Sequence, residues 1–209
     1  MECPRCFWLD LKCGIKRPPP APYTINTSID HLLKAEFDQH RKNKSRHYLL
    51  ERYNIDALPY NCEHIDTWRN NFTGIRAKHT LSDFLVYGAI DDVWINPKEE
   101  LFIVDYKATG AKEYKIYDSY RRQMEIYQWL FIKNDYKVSP TGYFVFAKVN
   151  PQHGFGSGKL SFDLFVEPLV GDSSWVEDAL MKARALLEGS LPAYNDKCPY
   201  CQFSKPREL

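Results

Sequence analysis

Hydrophobic spacing changes repeatedly along this 209-residue chain. Between Asn26 and Arg41, Ile29, Leu32, Leu33 and Phe37 recur at helical intervals, with Glu36 near the same face. Asn26, Thr27 or Ser28 can cap that helix, and a second helix is expected near 47–53. Ile75-Arg76-Ala77-Lys78-His79 alternates with period two, as a strand does. Phe84–Ile95 and Leu101–Ala108 are apolar runs separated by Asn96-Pro97-Lys98-Glu99-Glu100, which predicts two strands in an antiparallel hairpin. Tyr117–Lys133 returns to helical spacing. Gly142–Val149 and Leu160–Val166 read as further strands, joined through the flexible Gly154-Phe155-Gly156-Ser157-Gly158. Ser174–Gly189 has a serine-rich start and a glycine stop, so it reads as a helix. Residues 1–16 suggest a turn running into a short helix, and Arg17–Pro22 a stiff extended connector. The order predicts one mixed α/β domain over residues 1–209, helix first, without repeats.

Composition narrows the functional classes. Leu, Ile, Val and Phe make up a quarter of the chain, enough for a folded core. The net charge of +1 excludes a strongly basic protein that coats DNA without specificity, although a local basic face is allowed. The run Arg41-Lys42-Asn43-Lys44-Ser45-Arg46-His47 is such a face or an ordinary solvated loop, with Lys44 and Arg46 as candidate nucleic-acid contacts. Crossing a bilayer takes about 20 mostly apolar residues, and the apolar run from Phe84 stops at Asp91-Asp92. No basic segment followed by an apolar one opens the chain, so a cytoplasmic protein is expected.

Four of the six cysteines form two matching turns, Cys3-Pro4-Arg5-Cys6 and Cys198-Pro199-Tyr200-Cys201. In a reducing compartment such pairs are read as metal ligands before disulfides. Four thiolates complete a tetrahedral site of the structural-zinc type, and a 4Fe-4S cluster takes the same ligand count. Either would staple residues 1–16 to 195–209. Cys13 and Cys62 have no evident partner and suit small core residues.

The strand Leu101–Ala108 carries Asp105 and Lys107 two apart, hence on one face, with Val104 and Tyr106 on the other. The preceding apolar run contains Asp91 and Asp92, which point to opposite faces. Acids in apolar strands cost several kcal/mol of desolvation unless paired or metal-bound. Two acids on neighbouring strands beside a lysine suit magnesium, which prefers oxygen ligands and keeps several waters. An Asp105–Lys107 ion pair without further function is the plainer alternative. On the following helix, Tyr120, Gln123, Tyr127, Leu130 and Phe131 share a stripe, which puts Gln123 where core is expected; it is a site residue or a satisfied core glutamine.

Gly88-Ala89-Ile90-Asp91, then Asp105-Tyr106-Lys107, then Gln123-Met124-Glu125-Ile126-Tyr127 form an ordered set that resembles the PD-(D/E)XK nuclease superfamily. Within it the set is similar to the RecB-like branch that includes the CRISPR-associated exonucleases, whose start Cys3-Pro4-Arg5-Cys6-Phe7-Trp8-Leu9 also resembles. The resemblance implies an αβββαβ restriction-endonuclease-like core and metal-dependent hydrolysis of DNA phosphodiesters. Asp91, Asp105 and the Tyr106 carbonyl would hold Mg²⁺ or Mn²⁺, with Asp30, or else His31 or Glu36, as the ligand from the first helix. Lys107 would orient water and Gln123 would brace it. Tyr127, Arg121 and Arg122 would face the nucleic-acid backbone. The branch further implies single-stranded DNA or DNA with free ends as substrate, and a helicase or other DNA-processing protein as partner. A noncatalytic nucleic-acid-binding subunit and a zinc-stapled interaction module are the competing readings. Asp105 stands where many relatives have glutamate, and the two-plus-two cysteine arrangement favours zinc over the iron–sulfur cluster.

Overall fold

The computed structural model describes residues 2–19 and 24–205. Contacts divide the chain into two compact units, Tyr23–Lys78 with Leu85–Ser173, and Met1–Pro22 with His79–Phe84 and Ser174–Leu209.

The larger unit begins with α2 (Thr24–Asn43), which follows α1 (Pro4–Cys13) of the other unit. The buried stripe of α2 is Ile29, Leu33, Phe37 and Arg41, an unbroken i, i+4 series. Leu32, expected in that stripe, is 69% exposed. One residue along from the apolar row lie Asp30, Lys34 and Asp38, so α2 carries a polar row beside its core row. The chain then forms α3 (Tyr48–Arg52), β1 (Leu58–Pro59) and α4 (Ile65–Arg69). Of these only α3 was legible in the hydrophobic pattern.

Next come β2 (Ile75–His79), β3 (Phe84–Gly88), β4 (Asp92–Ile95) and β5 (Leu101–Thr109). The expected single strand Phe84–Ile95 is two strands. β3 pairs with β2 in a two-stranded sheet, whereas β4 joins the central sheet. Ala89, Ile90 and Asp91 cross between them. β4 and β5 form the expected antiparallel pair, with Asp92 opposite Val104 and Ile95 opposite Leu101.

α5 (Asp118–Ile132) carries the chain from β5 to β6 (Thr141–Val149), which lies parallel to β5 with Asp105 opposite Phe144. β7 (Phe162–Val170) runs antiparallel to β6 and completes the five-stranded order β1-β4-β5-β6-β7. A helix, three strands, a crossover helix and another strand make up the αβββαβ core. Central β5 is covered on both faces, which is why Ile103, Val104, Asp105 and Tyr106 are all buried. On one face, Phe37, Leu33 and Ile29 of α2 pack with Trp94, Val104, Tyr106 and Val145.

The smaller unit contains α1, α6 (Trp175–Glu188) and α7 (Pro199–Ser204). Trp8 Nε1 donates to the Gly189 carbonyl at 3.1 Å and Arg5 to the Pro192 carbonyl at 2.7 Å. Arg17–Pro19 have no regular structure; the rest of the expected extended connector, residues 20–22, lies outside the described residues.

Candidate active site

The break between β3 and β4 builds the first half of the site. β3 ends at Gly88, where a Cβ would stand 2.6 Å from Cε1 of Tyr127 on α5. Only glycine lets the backbone pass so close to that ring. The chain then delivers Asp91 just before β4. Its Oδ2 accepts the backbone N–H of Tyr106 at 2.8 Å, which ties it to β5 beside Asp105.

Asp105 is 3% exposed. Its Oδ2 is in contact with the Lys107 ammonium. Burial raises its carboxyl and Lys107 opposes that, while Asp91 and Asp30 add like-charge repulsion; the net position is about 7. Lys107 also reaches Gln123 Oε1 at 3.4 Å and sits 4.8 Å from the centre of the Tyr120 ring. Gln123 in turn donates to the Tyr127 hydroxyl at 3.0 Å. Tyr127, expected to face a nucleic-acid backbone, is buried, and its hydroxyl accepts from Gln123.

Asp30 comes from α2. Burial and the neighbouring Asp91 raise its carboxyl, against Lys34. Its Oδ1 is buried and has no hydrogen-bond partner among the described residues. Three acids from α2, the residue before β4, and β5 thus influence one another electrostatically. Asp30 Oδ1 and, its Lys107 contact aside, Asp105 Oδ2 are buried without a hydrogen-bond partner among the described residues, although the acids' ligand atoms do not gather within 4.8 Å of one another as the thiols of the cysteine cluster do. That donor set fits a hard divalent cation. Of the other α2 candidates, Glu36 pairs with His47 Nε2 at 2.9 Å, while His31 is exposed and lines the same polar pocket as Asp30 and Asp91.

Two site residues escaped the sequence reading. Lys34 bridges Asp30 Oδ2 at 2.7 Å and Asp91 Oδ1 at 3.0 Å. Its i, i+4 spacing from Asp30 was the available signal. Arg69, at the end of α4, donates from Nε to the Asp91 carbonyl at 2.8 Å and from Nη1 to Asp38 at 2.8 and 2.9 Å. Nothing in the local sequence marks it.

Asp92, as expected, faces away from this cluster. It is fully buried, and its partners are Arg41, Arg69 and the Tyr106 hydroxyl, the last at 2.6 Å. Burial holds its carboxyl above the ordinary range, against the pull of Arg41 and Arg69.

Of the expected nucleic-acid contacts, Arg121 and Arg122 are exposed in the first turns of α5 and Lys44 is exposed just past α2. Arg46 is already engaged, with its guanidinium on the Ile55 carbonyl and Asp56.

In the smaller unit, the Sγ atoms of Cys3, Cys6, Cys198 and Cys201 all lie within 4.8 Å of one another. The separations Cys3–Cys201, Cys6–Cys198 and Cys6–Cys201 are 3.5, 3.7 and 3.9 Å. Burial would raise the Cys3 thiol, but the Cys6 backbone amide and the other three thiols lower it to about 6. Burial and the same thiols push Cys6 up to about 12, although Arg17 opposes this. Four thiols this close cannot all ionise alone, and a bound cation removes that conflict. The cluster fits a metal and joins the two ends of the chain.

These geometries agree with the comparison to known families. The family model for the PD-(D/E)XK nuclease superfamily matches residues 3–205. The chain belongs to that superfamily, whose members are usually metal-dependent nucleases. No curated protein matches it. Among solved structures it is similar to one titled "Crystal structure of SSO0001", at 21% identity over 58% of this chain and 50% of that one, with a TM-score of 0.32. That match spans half of the other chain. No helix among the described residues is long and apolar enough to cross a membrane.

Proposed function

We propose that this protein is a Mg²⁺- or Mn²⁺-dependent nuclease that hydrolyses DNA phosphodiester bonds, an exonuclease of the RecB-like type. The observation that carries the reading is the linkage of Asp30, Asp91 and Asp105 through Lys34, the Tyr106 amide and Lys107, with the charges of the other two acids felt by Asp105. A binding subunit gains nothing from acids facing a polyanion, and the raised Asp105 carboxyl marks a charge the fold alone does not stabilise.

Asp91, Asp105 and Asp30 are the ligands for the cation, with the Tyr106 carbonyl beside them. When bound, the cation supplies Lewis acidity that makes water a better nucleophile and neutralises charge growing on the phosphate. Lys107 orients the attacking water and adds positive charge where the transition state becomes more negative. Gln123 and Tyr127 keep that ammonium from swinging away, and Tyr120 offers its ring face to it. Arg121, Arg122 and Lys44 supply positive charge along the DNA backbone.

For the cysteine cluster we favour structural zinc. Tetrahedral Zn–S bonds of about 2.3 Å set sulfurs about 3.8 Å apart, close to three of the six separations, which are 3.5–3.9 Å, while all six lie within 4.8 Å. An iron–sulfur cluster holds its thiolates on separate irons and spreads them wider.

The test is a panel of end-labelled single- and double-stranded DNA and RNA, linear and circular, incubated with Mg²⁺ or Mn²⁺. Progressive shortening of linear DNA with circular DNA left intact is the expected result. Cleavage of closed circles would replace the exonuclease with an endonuclease. No cleavage of any substrate with either cation would overturn the reading.

A further inference from the structure

Lys34 has no assigned role in the metal site, yet its ammonium lies between two of the acids. It touches Asp30 Oδ2 at 2.7 Å and Asp91 Oδ1 at 3.0 Å. Asp91 Oδ2 is already taken by the Tyr106 amide. Hence Oδ1, the oxygen Asp91 has left for a cation, is the one Lys34 holds. The side chain is 19% exposed, so the ammonium is largely shielded from solvent. Lys34, Asp30 and Asp91 themselves line a polar cavity of about 400 Å³, together with Asn26, His31 and Asn71.

We infer that Lys34 is a tethered counter-cation of the metal site, which neutralises the Asp30–Asp91 pair until a divalent ion displaces it to another part of that cavity, where it meets a phosphate of the nucleic acid. This inference rests on the nuclease reading above. The physical ground is that close carboxylates without a cation repel, and the chain meets that cost with one of its own charges. Burial disfavours the ammonium, but Asp91 and Asp30 outweigh it and hold Lys34 charged. A dication brings twice the charge to the same oxygens and repels the ammonium. The butyl stem lets Lys34 swing without moving α2. Asn26 and Asn71 in the cavity offer amide donors for phosphate oxygens, so the displaced charge finds an anion there only when substrate is present.

Two measurements test this. The first labels the native chain with an amine-acetylating reagent and maps modified lysines by mass spectrometry. Lys34 should react slowly without metal, several-fold faster with Mg²⁺, and slowly again with a single-stranded oligonucleotide in Ca²⁺. Unchanged reactivity on adding Mg²⁺ would overturn the inference. The second compares Mn²⁺ affinity in the native chain, Lys34→Met and Lys34→Arg by calorimetry. Lys34→Met should bind Mn²⁺ about tenfold or more tightly, because a competing positive charge is gone, and should melt lower only while metal-free. Lys34→Arg keeps the charge and should stay near the native affinity. Equal affinity in Lys34→Met and the native chain would overturn the inference while leaving the nuclease reading intact. A native chain that binds no Mn²⁺ and cuts nothing would remove both.

Discussion

Asp91 and Asp92 are consecutive residues held by Tyr106 in two different ways. Asp91 accepts the Tyr106 backbone N–H at 2.8 Å, and Asp92 accepts the Tyr106 phenolic hydroxyl at 2.6 Å. One residue of β5 therefore sets both carboxylates, one beside Lys34 and Asp30 and one in the Arg41–Arg69 network behind it. Arg69 closes the arrangement by holding the Asp91 carbonyl.

Breaking the rear network should cost stability before it costs chemistry. Asp92→Asn leaves two buried guanidinium groups undercompensated and should lose about 3–5 kcal/mol. Tyr106→Phe removes one hydrogen bond to a buried carboxylate and should lose about 1–3 kcal/mol. Urea denaturation of both variants checks the order. Equal stability of Asp92→Asn and the native chain would mean that the network carries no net stabilisation.

The acids and the lysine should separate metal binding from catalysis. Asp91→Ala and Asp105→Ala should each weaken Mn²⁺ binding and abolish cleavage together. Lys107→Met should bind Mn²⁺ at least as well as the native chain, yet cut about 10²–10³-fold more slowly, the usual loss for one transition-state donor. Mn²⁺ calorimetry and single-turnover cleavage on the three variants distinguish this from a plain ion pair, for which Lys107→Met would unfold the protein.

Asp105 gives a pH signature with a defined sign. Its carboxyl is raised to about 7 from the ordinary value of 3.8, chiefly by burial. The folded chain thus holds that proton more tightly than the unfolded one. This contribution to stability is complete below pH 3.8 and is lost as pH rises through about 7. Saturating Mg²⁺ favours the ionised form and should flatten the loss. Cation affinity should climb between pH 6 and pH 7, by up to about tenfold per unit, then level off. Melting curves from pH 5 to 8.5, with and without Mg²⁺, report both effects. A metal-free stability that rises across that range would contradict the assignment.

Gly88→Ala should destabilise by about 1–3 kcal/mol, because the new methyl meets the Tyr127 ring. Tyr127→Ala should absorb most of that cost in the double variant. Strict additivity in a double-mutant cycle would show that the ring and Gly88 are energetically independent.

The cysteine cluster should carry about one tightly held ion per chain. Elemental analysis should find zinc, and Cys3→Ser with Cys201→Ser should lose it together with several degrees of melting temperature. Brown protein with iron would replace zinc by a cluster on the same four thiols. Metal-free protein melting at the native temperature would remove the staple altogether.

Much of this was legible in the sequence because it depends on local spacing. Asp105 and Lys107 share a face because strands alternate, and Gln123 and Tyr127 share one because helices repeat near every fourth residue. The two Cys-x-x-Cys turns announce a thiolate cluster from either end. What spacing does not encode is where a strand changes sheet or which distant cation meets which acid. Phe84–Ile95 reads as a single apolar run, yet β3 and β4 belong to different sheets, since hydrogen-bond partners are set by neighbouring strands and not by the run itself. Leu32 and Leu33 are equally apolar, and only the packing of α2 on the sheet sends Leu33 inward. Lys34 and Arg69 are ordinary surface residues in the sequence, and they reach Asp91 only because α2 and α4 place them beside the residue that precedes β4. The acids, the lysine and the thiols could be named from the chain alone, because side-chain type and local period are written in it. Which charges neutralise them could not, because Coulomb interactions follow distance in space and not along the chain.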